Sequence, residues 1–208
     1  MDVLTFGESR VAFLPVIRGL VQEGARVRQV IAEVRPEAVA LTVGREELEV
    51  LRSYDGSEAP PANWEEEMYI AGLQQWGEVR KPPPCFVEAV RAAQEQEIAV
   101  RALDFNDEDY TEAFVTHIGT LDLLWHTRLE TKAREHGFRA MTPEEFVLEF
   151  EALVDDPEAY VRLEQARERH IAKRIAKLAG KHRSLLALVE YERAAGVRVL
   201  LGAPSTTP

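Results

Sequence analysis

Arginines and carboxylates, not histidines, stand where this sequence could do chemistry. Four short stretches follow apolar runs that read as strands: Gly7-Glu8-Ser9-Arg10, residues 42–45, residues 104–107 and Glu190-Tyr191-Glu192-Arg193. In open α/β sheets ligands bind beyond the carboxyl ends of strands, so these stretches are the candidate positions. An arginine keeps its proton at any working pH and only donates hydrogen bonds. Arg10 and Arg193, on a shared crevice, would clamp a carboxylate or phosphate, with help at Arg10 from the free N–H groups of a following helix. The competing reading spends each arginine on a local acid such as Glu8, Glu190 or Glu192, because buried arginines usually need a carboxylate. Arg167 flanks the apolar stripe of a later helix and can turn toward a cleft, which makes it a third ligand-binding candidate. Glu8 and Asp104 are the weak catalytic candidates, and no residue is assigned to a metal.

Other reactive types have bland readings beside the sharp ones. Asp122 and His126 share a helix face at i, i+4, but the glutamate and second histidine of a zinc-protease motif are missing. His182, in Gly180-Lys181-His182, precedes a strand where a ligand would follow one. Asp104, Asn106, Asp107 and Asp109 alternate as in a calcium loop, without its glycine and terminal glutamate, and Asp107 reads as a helix cap. Cys85 has no basic neighbour in sequence to activate it. Gly-x-Ser-x-Gly, P-loop and Gly-x-Gly-x-x-Gly patterns are all missing, which disfavours serine hydrolase, NTPase and dinucleotide-binding readings.

These residues need a scaffold of alternating strands and helices. Residues 3–6 read as a strand, residues 11–34 as a helix with apolar positions every three or four residues, and residues 38–43 as a second strand. That order is a βαβ unit with a parallel pair. Short helices are expected at 46–54, 64–76 and 85–96, then a strand at 98–103. The acidic stretch 104–109 leads into a long helix reaching about residue 136. Thr142-Pro143-Glu144-Glu145 is a capping box, and Asp156-Pro157 starts a helix that Gly180 stops near Ala179. Residues 185–189 form a further strand. Residues 197–201 read as a last strand, with a helix over 190–200 as the alternative. The tail 203–208 is expected to fray. The prediction is an α/β fold: one domain over residues 1–208, with a small, mostly parallel sheet of four to five strands and helical insertions at about 46–96 and 107–179.

At the four strand ends the chain resembles the TraB family, the pheromone-shutdown and erythromycin-esterase-like group. Thr5-Phe6-Gly7-Glu8-Ser9-Arg10 is similar to its first Gly-x-x-His, Arg35-Pro36-Glu37-Ala38-Val39 to its Arg-Pro-Asp-x-Val strand, and Leu103-Asp104 to its strand-ending Asp. Ala166-Arg167-Glu168 is similar to its Glu-Arg-Asp helix, and residues 185–196 to its last strand and second Gly-x-x-His. The resemblance implies an α/β core and, in some members, metal-dependent hydrolysis. Both histidine places read as arginine here, Arg10 and Arg193, and Thr42 stands at an acidic place. Arginine is neither a base near pH 7 nor a metal ligand, so the resemblance implies a domain that has lost hydrolysis and binds or interacts, with a small anion as the candidate ligand. The alternative is a hydrolase of the same superfamily with a rearranged, metal-dependent site. No cofactor is assigned.

Charge narrows the partners. The net charge is −11, yet residues 161–183 hold eight Lys/Arg against two acids, so that segment is +6 and the remainder −17. An acidic body repels phosphates, which argues against general nucleic-acid binding. Arg162, Arg169, Lys173 and Lys177 fall within about an 80° arc of one helix, a face suited to solvent, an acidic protein partner or a homodimer contact. One cysteine, no basic and apolar leader and no run of about 20 apolar residues point to a cytoplasmic protein with no membrane span.

Overall fold

The computed structural model describes residues 1–57, 59–155 and 158–202, apart from the side chains of residues 126 and 127. It is an α/β fold on a five-stranded sheet ordered β1-β2-β5-β3-β4. The strands are β1 (Asp2–Phe6), β2 (Ser9–Val16), β3 (Ala38–Leu41), β4 (Ala99–Ala102) and β5 (Ser184–Glu190). Only the β1–β2 pair is antiparallel.

The N-terminal reading needs correction. Residues 11–34 are not one helix: β2 occupies the first part, and helix α1 is Val21–Val34. Gly7, at φ 60°, turns the chain between β1 and β2 in a hairpin. The βαβ unit therefore begins at β2, not β1. Val11-Ala12-Phe13-Leu14 is apolar without alternation because β2 is covered on both faces, as a parallel strand is. Its even residues Ala12, Leu14 and Val16 join one core and Val11 and Phe13 the other. Pro15 fits because β1 pairing ends at Phe13, and the Pro15 carbonyl accepts from Arg26 at 3.2 Å instead of from a strand. That side of β2 is locally an edge, where a missing N–H costs no ladder bond.

The remaining helices are α2 (Arg45–Arg52), α3 (Trp64–Leu73), α4 (Pro84–Glu95), α5 (Asp107–His117), α6 (Thr120–Glu135), α7 (Pro143–Val154), α8 (Glu158–Ala179) and α9 (Tyr191–Leu200). Residues 197–201 are thus not a strand; α9 takes the helical alternative. The single helix expected to residue 136 is two, because Gly119 starts α6 and its N–H donates to the Asp122 carboxylate at 2.8 Å. Thr142 caps α7 by accepting from the Glu145 N–H, while Glu145 reaches back to the Met141 N–H. The expected start at Asp156-Pro157, the side chain of His126 and the tail lie outside the described residues. Among the described residues, no helix is long and apolar enough to cross a membrane.

Helices α1, α2 and α4 cover one sheet face, and α8 and α9 cover the other. A third core sits past the strand ends, where Ile17 and Leu20 meet Tyr69 and Leu73 of α3 and Phe146, Val147 and Phe150 of α7. This cap leaves open space above the sheet's carboxyl edge. It depends on a close approach at Gly72, where an added methyl would overlap the ring of the fully buried Phe146. Gly72→Ala should cost about 1–3 kcal/mol, several degrees in Tm by calorimetry. Gly137→Ala, with nothing within 4 Å of its added methyl, should leave Tm unchanged.

Candidate functional site

The carboxyl ends of β2, β3, β4 and β5 lead into one chain of alternating charges. Asp104, after β4, takes Arg167 of α8 at 2.5 Å. Arg167 also holds Glu164 at 2.9 Å, and Glu164 holds Arg193 of α9 at 2.6 Å. Arg193 continues to Glu190, the last residue of β5, at 2.6 Å. Glu190 takes Arg18, just past β2, at 3.1 Å, and Glu192 accepts from Arg18 at 3.0 Å and from Arg193 at 3.1 Å. Thr42, past β3, accepts the Glu190 N–H at 3.3 Å. The ends of the adjacent strands β2 and β5 each lead to an arginine, Arg18 and Arg193.

Local sequence explains this placement. Arg18-Gly19 ends the apolar run of β2, and Gly19 turns at φ 97° into α1. Glu190 closes β5 and opens α9 directly, so Arg193 lies one turn into that helix and reaches back to Glu190. Arg167 and Glu164 are i, i+3 on α8.

Above this floor lies a cavity of about 540 Å³, roofed by α3, α5, α6 and α7. Its size falls in the range of small-molecule pockets, roughly 300–1,000 Å³. Tyr69, Tyr110, Phe150 and Tyr160 give it aromatic walls, and Glu151 and Asp155 project into it from the end of α7. Five buried polar atoms at or below it lack a hydrogen-bond partner: the Tyr69 hydroxyl, Glu192 Oε2 and Arg193 Nε, together with Arg18 Nε and Glu164 Oε2, which lie in ion pairs with Glu190 and Arg193.

Burial and charge tune these groups in opposite directions. Burial alone would raise the Asp104 and Glu164 carboxyls, but their arginines outweigh it and hold both below the usual range. Burial raises Glu151 to about 8, assisted by Glu192 and opposed by Arg193 and Arg18. Burial, then Glu164, raises Asp155 to about 7, against Arg193 and Arg167. Asp155 has no ion-pair partner among the described residues, so the more distant Arg193 and Arg167 offset its burial only in part.

The sequence candidates separate. Arg193, Arg167 and Asp104 come together here. Arg10 does not: it pairs with Ser184 at the start of β5, exposed, about 20 Å along the strand from Glu190, the partner of Arg193. Glu8 is exposed in the same hairpin, at the amino edge. The clamp of Arg10 with Arg193 is therefore ruled out by the hairpin, and the arginine at the β2 end is Arg18. Asn106, not Asp107, caps α5, accepting the Asp109 N–H at 2.8 Å. His182 sits at the amino edge, 3.9 Å from Glu37. Cys85 is fully buried in α4, and burial pushes its thiol up, so it is no nucleophile. Arg162, Arg169, Lys173 and Lys177 are exposed on α8, while Arg174 turns inward to donate to the Ala102 carbonyl.

Arg18, Tyr69, Glu151 and Asp155 are absent from the sequence candidates. A strand reading of residues 11–17 would have exposed Arg18, since the run breaks there. Glu151 is one of four glutamates on α7 and Asp155 caps its end, so neither carries a comparable signal.

No protein-family model matches this chain, and no curated protein does.

Arg193→Met should cost about 3–5 kcal/mol, because it strands Glu190 and Glu164 in the interior, whereas Arg10→Ala should leave Tm within about 1 °C. Stability should also depend on pH through the α7 carboxyls. Their folded pKa values lie above the unfolded values of roughly 4, so the folded state binds more protons between the two. Their contribution is full below about pH 4 and is lost as pH rises through 7–8. Thermal melts should show Tm falling from pH 5.5 to 8.5, and Asp155→Asn should flatten that fall.

Proposed function

We propose that this chain binds a small polar molecule in the cavity at the carboxyl edge of its sheet. The observation that carries this reading is the set of buried polar atoms at or below it without a hydrogen-bond partner, above all the hydroxyl of Tyr69, a cavity-lining residue with no ion pair to satisfy it. Buried polar groups are paired in folded proteins, so unpaired ones beside an open space favour a bound group that completes them. Position adds support, because ligands of parallel sheets bind at this edge, and the resemblance to the TraB family directs attention to the same edge.

The strand-end arginines favour binding over hydrolysis. Arg18 and Arg193 hold no free lone pair, so neither serves as base or metal ligand. A small anion gains less support, because both guanidinium groups are already taken by carboxylates. One observation favours the alternative of a rearranged hydrolase: Glu151 and Asp155 titrate near neutrality within the cavity, as a general acid and base would.

Amide NMR spectra, recorded while small amines, alcohols, carboxylates and phosphates are added, test the reading. At least one compound should perturb resonances clustered on α3, α7 and α9, and a set without such clustering would count against the site. Continued recording of the bound compound separates the alternatives, since a binding protein leaves it intact and a hydrolase consumes it.

A further inference from the structure

We infer that the cavity is built for an organic cation, a protonated amine carried on an apolar or aromatic body. This inference rests on the reading of the cavity as a ligand site and names the ligand's chemical class.

Charge balance around the cavity comes first. Each cation on its lining is already held by a carboxylate. Arg18 has Glu190 and Glu192, Arg167 has Asp104 and Glu164, and Arg193 has Glu164 and Glu190. At the mouth, Lys81 has Glu66 at 2.5 Å and Arg80 has Glu78 at 2.6 Å. The carboxylates are not all matched in return. Asp155 has no ion-pair partner among the described residues. Among the described residues Glu151 has only Arg193 as an ion-pair partner, at 3.5 Å, and Arg193 has three closer carboxylates. An anion entering here would have to break an existing buried ion pair, leaving a carboxylate behind it. A cation would instead complete Asp155 and Glu151.

The second observation is independent of the acids. Tyr69 is 8 % exposed and lines the cavity, and its hydroxyl has no hydrogen-bond partner. A phenol oxygen there accepts an ammonium N–H. The walls already show the relevant recognition twice, with the Arg18 guanidinium 5.4 Å from the Tyr69 ring centre and that of Arg167 5.9 Å from the Tyr110 ring centre. Aromatic faces beside carboxylates are the usual surroundings of a bound alkylammonium group. A bare metal ion fits less well, because no three His, Cys, Asp or Glu side chains among the described residues converge to hold one.

Isothermal titration of the full chain tests this with four probes: phenethylamine, spermidine, 2-phenylethanol and 3-phenylpropionate. At least one amine should bind about ten-fold or more tightly than the alcohol and the carboxylate. Asp155→Asn should weaken that amine about ten-fold, and Glu151→Gln should do likewise, with circular dichroism of each variant matching the parent. Tighter binding of the carboxylate or the alcohol overturns the cationic class and leaves the cavity as a ligand site. An amine that binds both variants as well as the parent overturns the inference, since it then sits on the acidic surface. Failure of all four probes to bind counts against the inference and the ligand site together.

Discussion

Arg193 is the interaction on which the rest depends. It is 5 % exposed and holds Glu190, Glu192 and Glu164 while approaching Glu151. Through it the end of β5, the start of α9 and the middle of α8 are fixed to one another. A charge buried this deeply is tolerated only with close, well-directed partners, so the positions of those elements are set within narrow limits. The cap above the sheet inherits that precision, and with it the shape of the cavity. Stability is not the evident return: a hydrophobic replacement of such networks is often as stable. What the network supplies is a fixed, polar floor.

The same network divides the carboxylates into two groups. Asp104 and Glu164 sit against guanidinium groups and stay ionised. Glu151 and Asp155, at the end of α7, are half-buried without enough positive charge and are held near neutrality. One cavity thus presents fixed charge on its floor and adjustable charge on its wall.

The central layer of the fold was legible in the sequence because apolar runs bounded by glycine, proline and acids mark strands. Residues 38–43, 98–103 and 185–189 were located within two residues of β3, β4 and β5. The N-terminus was not legible, and one physical fact explains it: Val11, Phe13, Leu14, Val16 and Ile17 also satisfy helical spacing, because a strand buried on both faces has no alternation to betray it. That misreading moved the strand end from Arg18 to Arg10 and carried the proposed clamp to the opposite edge. Arg193 and Arg167 survived because their elements were placed by independent signals. Glu151 and Asp155 were out of reach, since their character comes from burial beneath α3 and beside α8, which no local pattern encodes.

The strand order has a consequence for how the chain is made. The sheet's middle strand, β5, is the last of the five described strands in chain order, while its neighbours β2 and β3 lie far ahead of it. Until β5 is made, the β1–β2 and β3–β4 pairs lack the strand that hydrogen-bonds to both. More than 140 residues of translation separate β3 from the strand that completes it, at roughly 5–20 residues per second. The strand that joins the two pairs arrives together with Glu190 and Arg193.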